Sequence, residues 1–345
     1  MRIILASSFV PFINGGARFI VEWLERQLLE HGHQVERFYL PFVEHPDFIL
    51  EQMLAYRMMN LEDSSDLLVT FRPPSYALRH PRKVVWFIHH IRPFYDLADA
   101  GHRGYPDTPK GEALRDALVD MDTSTLLESR RIFSNSQVVA DRLAKYNGIR
   151  AIPLFPPVAE PERFRNEGYG EEIVVVCRVE PHKRQSLLVE AMEHTKTAVR
   201  LRLCGVSFDP AYGKELQQQI DGGSAADRIV YENRWITEEE KADMLATALA
   251  AAYLPMDEDS YGYPSLEAAH SRKSMITTVD SGGVLEFVDN GRNGFVVEPT
   301  PEAVAEAMDR LYADRDLAMR MGDAGHERLR ELKIDWNHVV ESILS

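Results

Sequence analysis

Two cations in the second half of the chain, Arg178 and Lys183, stand five positions apart just after an apolar run at 173–176 that reads as a strand. Arginine grips phosphate oxygens through two parallel N–H groups, and lysine adds a compact point charge. At the carboxyl end of a parallel strand, where such sheets bind ligands, the pair suits a diphosphate. The plain alternative is two surface cations in water. Further on, a strand at 250–255 runs into Asp257-Glu258-Asp259-Ser260-Tyr261-Gly262, and Tyr263-Pro264-Ser265-Leu266-Glu267 then opens a helix. Proline fits the first helical turn. A carboxylate accepts hydrogen bonds from vicinal hydroxyls, so Asp259 and Glu267 suit a ribose and a hexose, and the free N–H groups of the helix start suit phosphate. Against this, an acid in a first turn is favoured by the helix dipole, and three acids in a row make an ordinary solvated loop.

The first half offers less. Gly15 and Gly16 follow the first strand and open a helix, where backbone N–H groups can approach an anion; taken alone, the pair reads first as a tight strand-to-helix turn. No G-x-G-x-x-G pattern is present. The fourth strand ends in His89-His90, and neighbouring strand residues face opposite ways, so one histidine can face the cleft while the other packs or faces outward, with the strand register favouring His89. No third ligand lies at metal spacing, so no metal site is expected. Asp280-Ser281-Gly282-Gly283-Val284-Leu285-Glu286 is a glycine turn opening a short helix, with Asn293-Gly294 as a further turn.

The elements that must position these residues alternate regularly. Strands are expected at 3–6, 35–40, 67–71, 84–88 and 132–135, then at 173–176, 201–203, 229–231, 250–255, 275–279 and 295–297, with helical spacing between them. That alternation means an α/β chain with parallel sheets. Four prolines at 153–161 cannot continue a helix or sit in a central strand, and they mark the boundary between two halves. The expected organisation is a Rossmann-like first domain at 1–158, a Rossmann-like second domain at 159–328 facing it across a cleft, and a returning amphipathic helix at 329–345.

The 345 residues are 45% hydrophobic and 27% charged, which is globular composition, and the net charge of −15 argues against a broad nucleic-acid or anionic-lipid surface. No apolar run reaches membrane-spanning length, and the first residues read as part of the fold rather than a signal peptide. The two cysteines sit in apolar runs and read as reduced, buried thiols of a cytoplasmic protein.

Taken together, the Gly15-Gly16 loop, His89, Ser134-Asn135-Ser136, Arg178 with Lys183, the Asp259-to-Glu267 element, Gly282-Gly283-Val284-Leu285-Glu286 and Asp335-Trp336-Asn337-His338 resemble glycosyltransferase family 4, a retaining group with the GT-B fold. The resemblance covers nearly the whole chain. It implies a hexosyltransferase with a UDP- or GDP-linked sugar as donor substrate, no metal or other cofactor, and a hydroxyl acceptor on a glycan, glycolipid or small-molecule glycoside. Arg178 and Lys183 would hold the diphosphate, with Gly16 N–H joining on closure, Glu267 would hold the ribose, and Asp259 and His89 would contact the transferred sugar. The donor stretch Glu258–Leu266 as a whole (Glu258, Tyr261, Gly262, Tyr263, Pro264, Ser265, Leu266) would wall the site. Acceptors bind the first domain in this family, where Arg92, Tyr95, Arg103 and Tyr105 are candidates, with a surface loop as the equal alternative. One departure stands out: the family has glutamate where Asp259 stands, so either the loop moves in or Glu258 does the work. Peripheral membrane contact is compatible with the sequence, and the oligomeric state is not legible. Competing readings are a non-catalytic nucleotide-sugar-binding protein, a sugar phosphorylase or epimerase on the same fold, and a nicotinamide dehydrogenase, the last disfavoured by the missing glycine fingerprint.

Overall fold

Short apolar runs between helices bury both faces of a strand, and that is how the two sheets here are built. The structure is a computed structural model describing residues 1–9 and 16–345; Gly15 lies outside the described residues. The first sheet contains β1 (Arg2–Phe9), β2 (Gln34–Pro41), β3 (Leu67–Thr70), β4 (Lys83–Phe87), β5 (Arg131–Ser134) and β6 (Ile152–Pro153), in the order β2-β1-β3-β4-β5-β6. The second contains β7 (Glu172–Val176), β8 (Arg200–Cys204), β9 (Ile229–Glu232), β10 (Ala250–Ala252), β11 (Ser274–Thr278) and β12 (Gly294–Val297), in the order β12-β11-β10-β7-β8-β9. Their pairings are parallel. With the parallel sheets come the helices α1 (Gly16–Glu30), α2 (Ile49–Arg57), α3 (Asp96–Asp99), α4 (Pro109–Leu127), α5 (Gln137–Asn147), α6 (Gln185–His194), α7 (Pro210–Gly222), α8 (Glu238–Thr247), α9 (Tyr263–His270), α10 (Pro301–Ala313), α11 (Arg315–Glu331) and α12 (Trp336–Leu344). This is the GT-B architecture, two α/β units of doubly wound type. No helix among the described residues is long and apolar enough to cross a membrane.

The chain forms two compact units, Met1–Pro156 with Asp335–Ser345, and Pro157–Ile334. Helix α11 runs through Glu331 within the second unit, and Asp335–Ser345 belongs to the first. In the first unit, Trp86 donates its indole N–H to the Leu154 carbonyl (2.9 Å), and Trp336 of α12 meets it edge-on with ring centroids 6.5 Å apart. Trp336, Val339, Val340 and Ile343 are all buried there.

Two strands differ from expectation for simple reasons. β6 is not among the expected strands; it lies at the sheet's edge, where the missing N–H of Pro153 costs nothing and the exclusion of proline from central strands is kept. β10 stops at Ala252 instead of 255: Tyr253 N still donates to the Ile276 carbonyl of β11 (3.0 Å), but Pro255 has no N–H to extend the ladder, and the chain turns into the acidic loop.

Candidate functional site

In the second sheet the chain leaves β7 in one direction for β8 and returns on the other side for β10, so β7 and β10 are neighbours with their helices diverging. Such a switch point opens a crevice at the carboxyl ends of the two strands. Lys183 follows β7, whereas Tyr253 and Glu258 follow β10, and their side chains meet. Pro181–Lys183 is a single 3-10 turn ahead of α6. The Lys183 ammonium, only 6% exposed, donates to the Tyr253 hydroxyl at 2.7 Å and to the Glu258 carboxylate. The Tyr253 hydroxyl donates to the same carboxylate oxygen at 2.8 Å. Burial pushes the Glu258 carboxyl upward, but the adjacent Lys183 charge and the two donated bonds more than offset this and leave it below the ordinary range.

Arg178 behaves differently. Its side chain is 54% exposed and donates to Glu180 at 2.9 Å. One of the two sequence-predicted cations is therefore sequestered and the other sits at the surface.

Glu267, in the second turn of α9 and 6% exposed, accepts from the Lys241 ammonium of α8 at 2.6 Å. Burial disfavours the Lys241 charge, but Glu267 and Glu238 outweigh it and raise its pKa. Helix α8 is fixed by a capping box: Thr237 accepts from Glu240 N, and Glu240 accepts from Thr237 N. Tyr253 and Lys241 are the two site residues the sequence reading missed. Tyr253 is hidden in an apolar run and Lys241 in a helix that reads as scaffold.

The acidic loop is held on two sides. Met256 N donates to the His182 carbonyl (2.8 Å), Asp257 N to the Asp280 carbonyl (3.0 Å), and Gly283 N to the Glu258 carbonyl (2.7 Å). A Cβ at Gly282, whose φ is +62°, would stand 2.5 Å from the Glu258 carbonyl oxygen, so only glycine permits this approach. The role of the Gly282-Gly283 turn is thus to seat the acidic loop. Asp259 is half-buried within that loop. Tyr261, Ser265 and Leu266 are buried, with the Ser265 hydroxyl donating to the Tyr261 carbonyl (2.7 Å), while Gly262, Tyr263 and Pro264 are half-buried. Gly262 has φ +67°, and a Cβ there would lie 2.4 Å from the Tyr253 ring.

In the first unit His89 lies two residues beyond β4 and is half-buried, its Nδ1 donating to the His90 carbonyl at 2.7 Å. His90 is buried, donates from Nε2 to Asn147 Oδ1 (2.9 Å), and is pushed down to about 4 by burial. Gly16 begins α1. The acceptor candidates divide by environment. Tyr95 has no exposed surface, and its hydroxyl donates to Asp122 at 2.6 Å, beside Tyr76, which donates to the other carboxylate oxygen at 2.7 Å. Tyr105 is buried against Phe94, ring centroids 5.1 Å apart. The structure places both tyrosines in the core instead of on a lining surface, because the segment is anchored by these rings. Arg92 pairs with Asp96 (2.6 Å), and Arg103 pairs with Asp107 (2.5 Å) and Glu112 (3.0 Å).

Residues 160–328 match the protein family described as glycosyl transferases group 1. The chain is 30% identical over 196 residues to the GDP-mannose-dependent alpha-(1-6)-phosphatidylinositol monomannoside mannosyltransferase of Mycobacterium tuberculosis, covering 51% of each protein. It is 28% identical over 211 residues to alpha-maltose-1-phosphate synthase of Mycolicibacterium smegmatis, covering 57% of this chain and 54% of that one. The chain thus spans about half the length of the curated relatives it matches. Among solved structures, Anabaena Alr3699/HepE in complex with UDP superposes with a TM-score of 0.74 at 15% identity, covering 100% of this chain and 98% of the other, a likeness of fold.

Proposed function

We propose that the chain is a retaining hexosyltransferase of the family 4 type using a UDP- or GDP-linked sugar, supported by the match of residues 160–328 to glycosyl transferases group 1 and by the GT-B fold. The observation that carries this reading is the Lys183–Tyr253–Glu258 cluster at the β7/β10 switch point, a held cation where the departing diphosphate needs one. The GDP-mannose named for one relative and the UDP held by a structural neighbour support the donor class.

In this mechanism the acceptor oxygen forms a bond to the anomeric carbon on the face the diphosphate leaves. The anomeric C–O bond breaks, and the acceptor proton passes to a phosphate oxygen. Lys183 and Arg178 neutralise the charge gathering on the diphosphate, the role a metal plays in other transferases. Preorganised charge of this kind accounts for a large share of many rate enhancements. Glu267, oriented by its hydrogen bond from Lys241 although burial raises its carboxyl above the ordinary range, takes the ribose hydroxyls. Asp259 stands where the family 4 acid that contacts the transferred sugar stands, and it takes that role here. His89, just beyond β4, keeps the sugar-contact role that the resemblance to family 4 implies.

Release of nucleoside diphosphate from GDP-mannose and UDP-glucose, with thermal shifts for each, tests the reading. Lys183→Ala is expected to lower turnover on the order of a hundredfold or more; a near-normal rate would sink the assignment. Asp259→Asn should abolish transfer while leaving nucleoside diphosphate affinity within about threefold, whereas Glu258→Gln should change that affinity itself. The reverse pattern would exchange the two roles.

A further inference from the structure

Arg184, the residue after Lys183, has φ +54° and ψ +40°, the left-handed region that favours glycine. Its guanidinium compensates. Largely buried, with 12% of the side chain exposed, it donates from Nε to the Leu254 carbonyl (2.9 Å) and from one terminal nitrogen to the Pro255 carbonyl (2.8 Å). It also pairs with both carboxylate oxygens of Asp280 (2.7 and 3.1 Å) and reaches Thr278 Oγ1 at 3.3 Å. These acceptors lie on the segments leaving β10 and on β11 and the turn beyond it, the same segments that carry Tyr253, Glu258 and the Gly282 turn. The backbone repeats the linkage through Met256 N to the His182 carbonyl and Asp257 N to the Asp280 carbonyl. Three separate turns, 181–184, 253–258 and 278–283, are thus joined at one side chain, and its immediate neighbour in sequence is Lys183.

We propose that Arg184, acting with Asp280, is a positioning residue of the donor site: it holds the Lys183 turn against the acidic loop and so sets the place of the Lys183 ammonium relative to an incoming nucleoside diphosphate. This rests on the donor-binding reading given above. Arg184 touches no substrate; it removes the freedom of the turn that carries the cation, and a preorganised charge is more effective than one that must be ordered on binding. Lysine cannot replace it, because a single ammonium cannot span two carbonyls and a bidentate carboxylate together.

The test is a set of variants, Arg184→Gly, Arg184→Lys, Asp280→Asn and Lys183→Ala with and without Arg184→Gly, titrated calorimetrically with UDP and GDP and assayed for donor KM and kcat. Glycine adopts the left-handed turn without strain, so Arg184→Gly is expected to fold, as circular dichroism would show. The expected result is about a tenfold rise in the dissociation constant of the bound diphosphate for Arg184→Gly, no rescue by Arg184→Lys, and a rise of similar direction for Asp280→Asn. In the Lys183→Ala background, Arg184→Gly is expected to add less than twofold, since its effect passes through that ammonium. A folded Arg184→Gly protein with wild-type affinity and kcat overturns the proposal, as does a full additional loss in the Lys183→Ala background, which marks a purely structural role. If the wild-type protein binds neither diphosphate, the donor reading fails and this proposal with it.

Discussion

Asp122 shows what a single residue does to the first unit. It is wholly buried, it accepts from Tyr76 and Tyr95, and burial outweighs those two bonds and pushes its carboxyl up to about 7. An unfolded chain restores the ordinary carboxylate value near 4, so Asp122 favours the folded state fully below pH 4. That contribution is lost as pH rises toward 7 and stays lost above it. Urea unfolding of the wild type is therefore expected to weaken by roughly 2 kcal/mol more between pH 5 and pH 8 than unfolding of Asp122→Asn. Parallel pH profiles for the two proteins would contradict this. None of that was legible in the sequence, where Asp122 is one acid in a helical run and Tyr95 reads as a lining residue. The charged members of the proposed donor site are the ones a sequence can point to, because Lys183, Glu258 and Glu267 stand near where strands end or helices begin. Their partners are not. Tyr253 and Lys241 reach the site only through the placing of β10 beside β7 and of α8 beside α9, which is set by tertiary packing.

At the scale of elements, α9 depends on how it begins. Gly262 precedes it in the left-handed region, and the missing Cβ leaves room for the Tyr253 ring. Gly262→Ala combines an unfavourable backbone with a clash, and about 2 kcal/mol of destabilisation is expected. The same change displaces the ring whose hydroxyl meets Lys183 and Glu258, so diphosphate affinity should fall together with stability; a stable variant with normal affinity would refute the link. Element order was largely readable, since apolar runs of four to eight residues alternate with helical spacing through both halves. The ends were less readable. The buried Tyr253 and Leu254 look like more strand and only Pro255 marks the end, and β6 is only two residues long, held by its edge pairing with β5.

At the scale of the molecule, the first unit is assembled from two distant stretches of sequence. Removing 335–345 takes away Trp336, Val339, Val340 and Ile343, each a buried side chain of the kind worth about 1.5–3 kcal/mol. That loss is comparable with the whole stability of an ordinary domain, roughly 5–15 kcal/mol. A chain ending at Ile334 is expected to lose the cooperative calorimetric transition of the first unit and keep that of the second, with limited proteolysis sparing 157–334. Two unchanged transitions would disprove it. The amphipathic pattern of 336–344 was readable in advance; what it packs on was not, because edge-on contact between Trp86 and Trp336 joins residues far apart in the chain. The discontinuity also orders events during synthesis. A ribosome makes about 5–20 residues per second, so all of Pro157–Ile334 is translated during a delay of very roughly ten to thirty seconds in which the first unit lacks its closing helix. The second unit can mature while the first waits with the Trp86 side of its sheet uncovered, which makes that interval the moment at which a chaperone would have the most surface to hold.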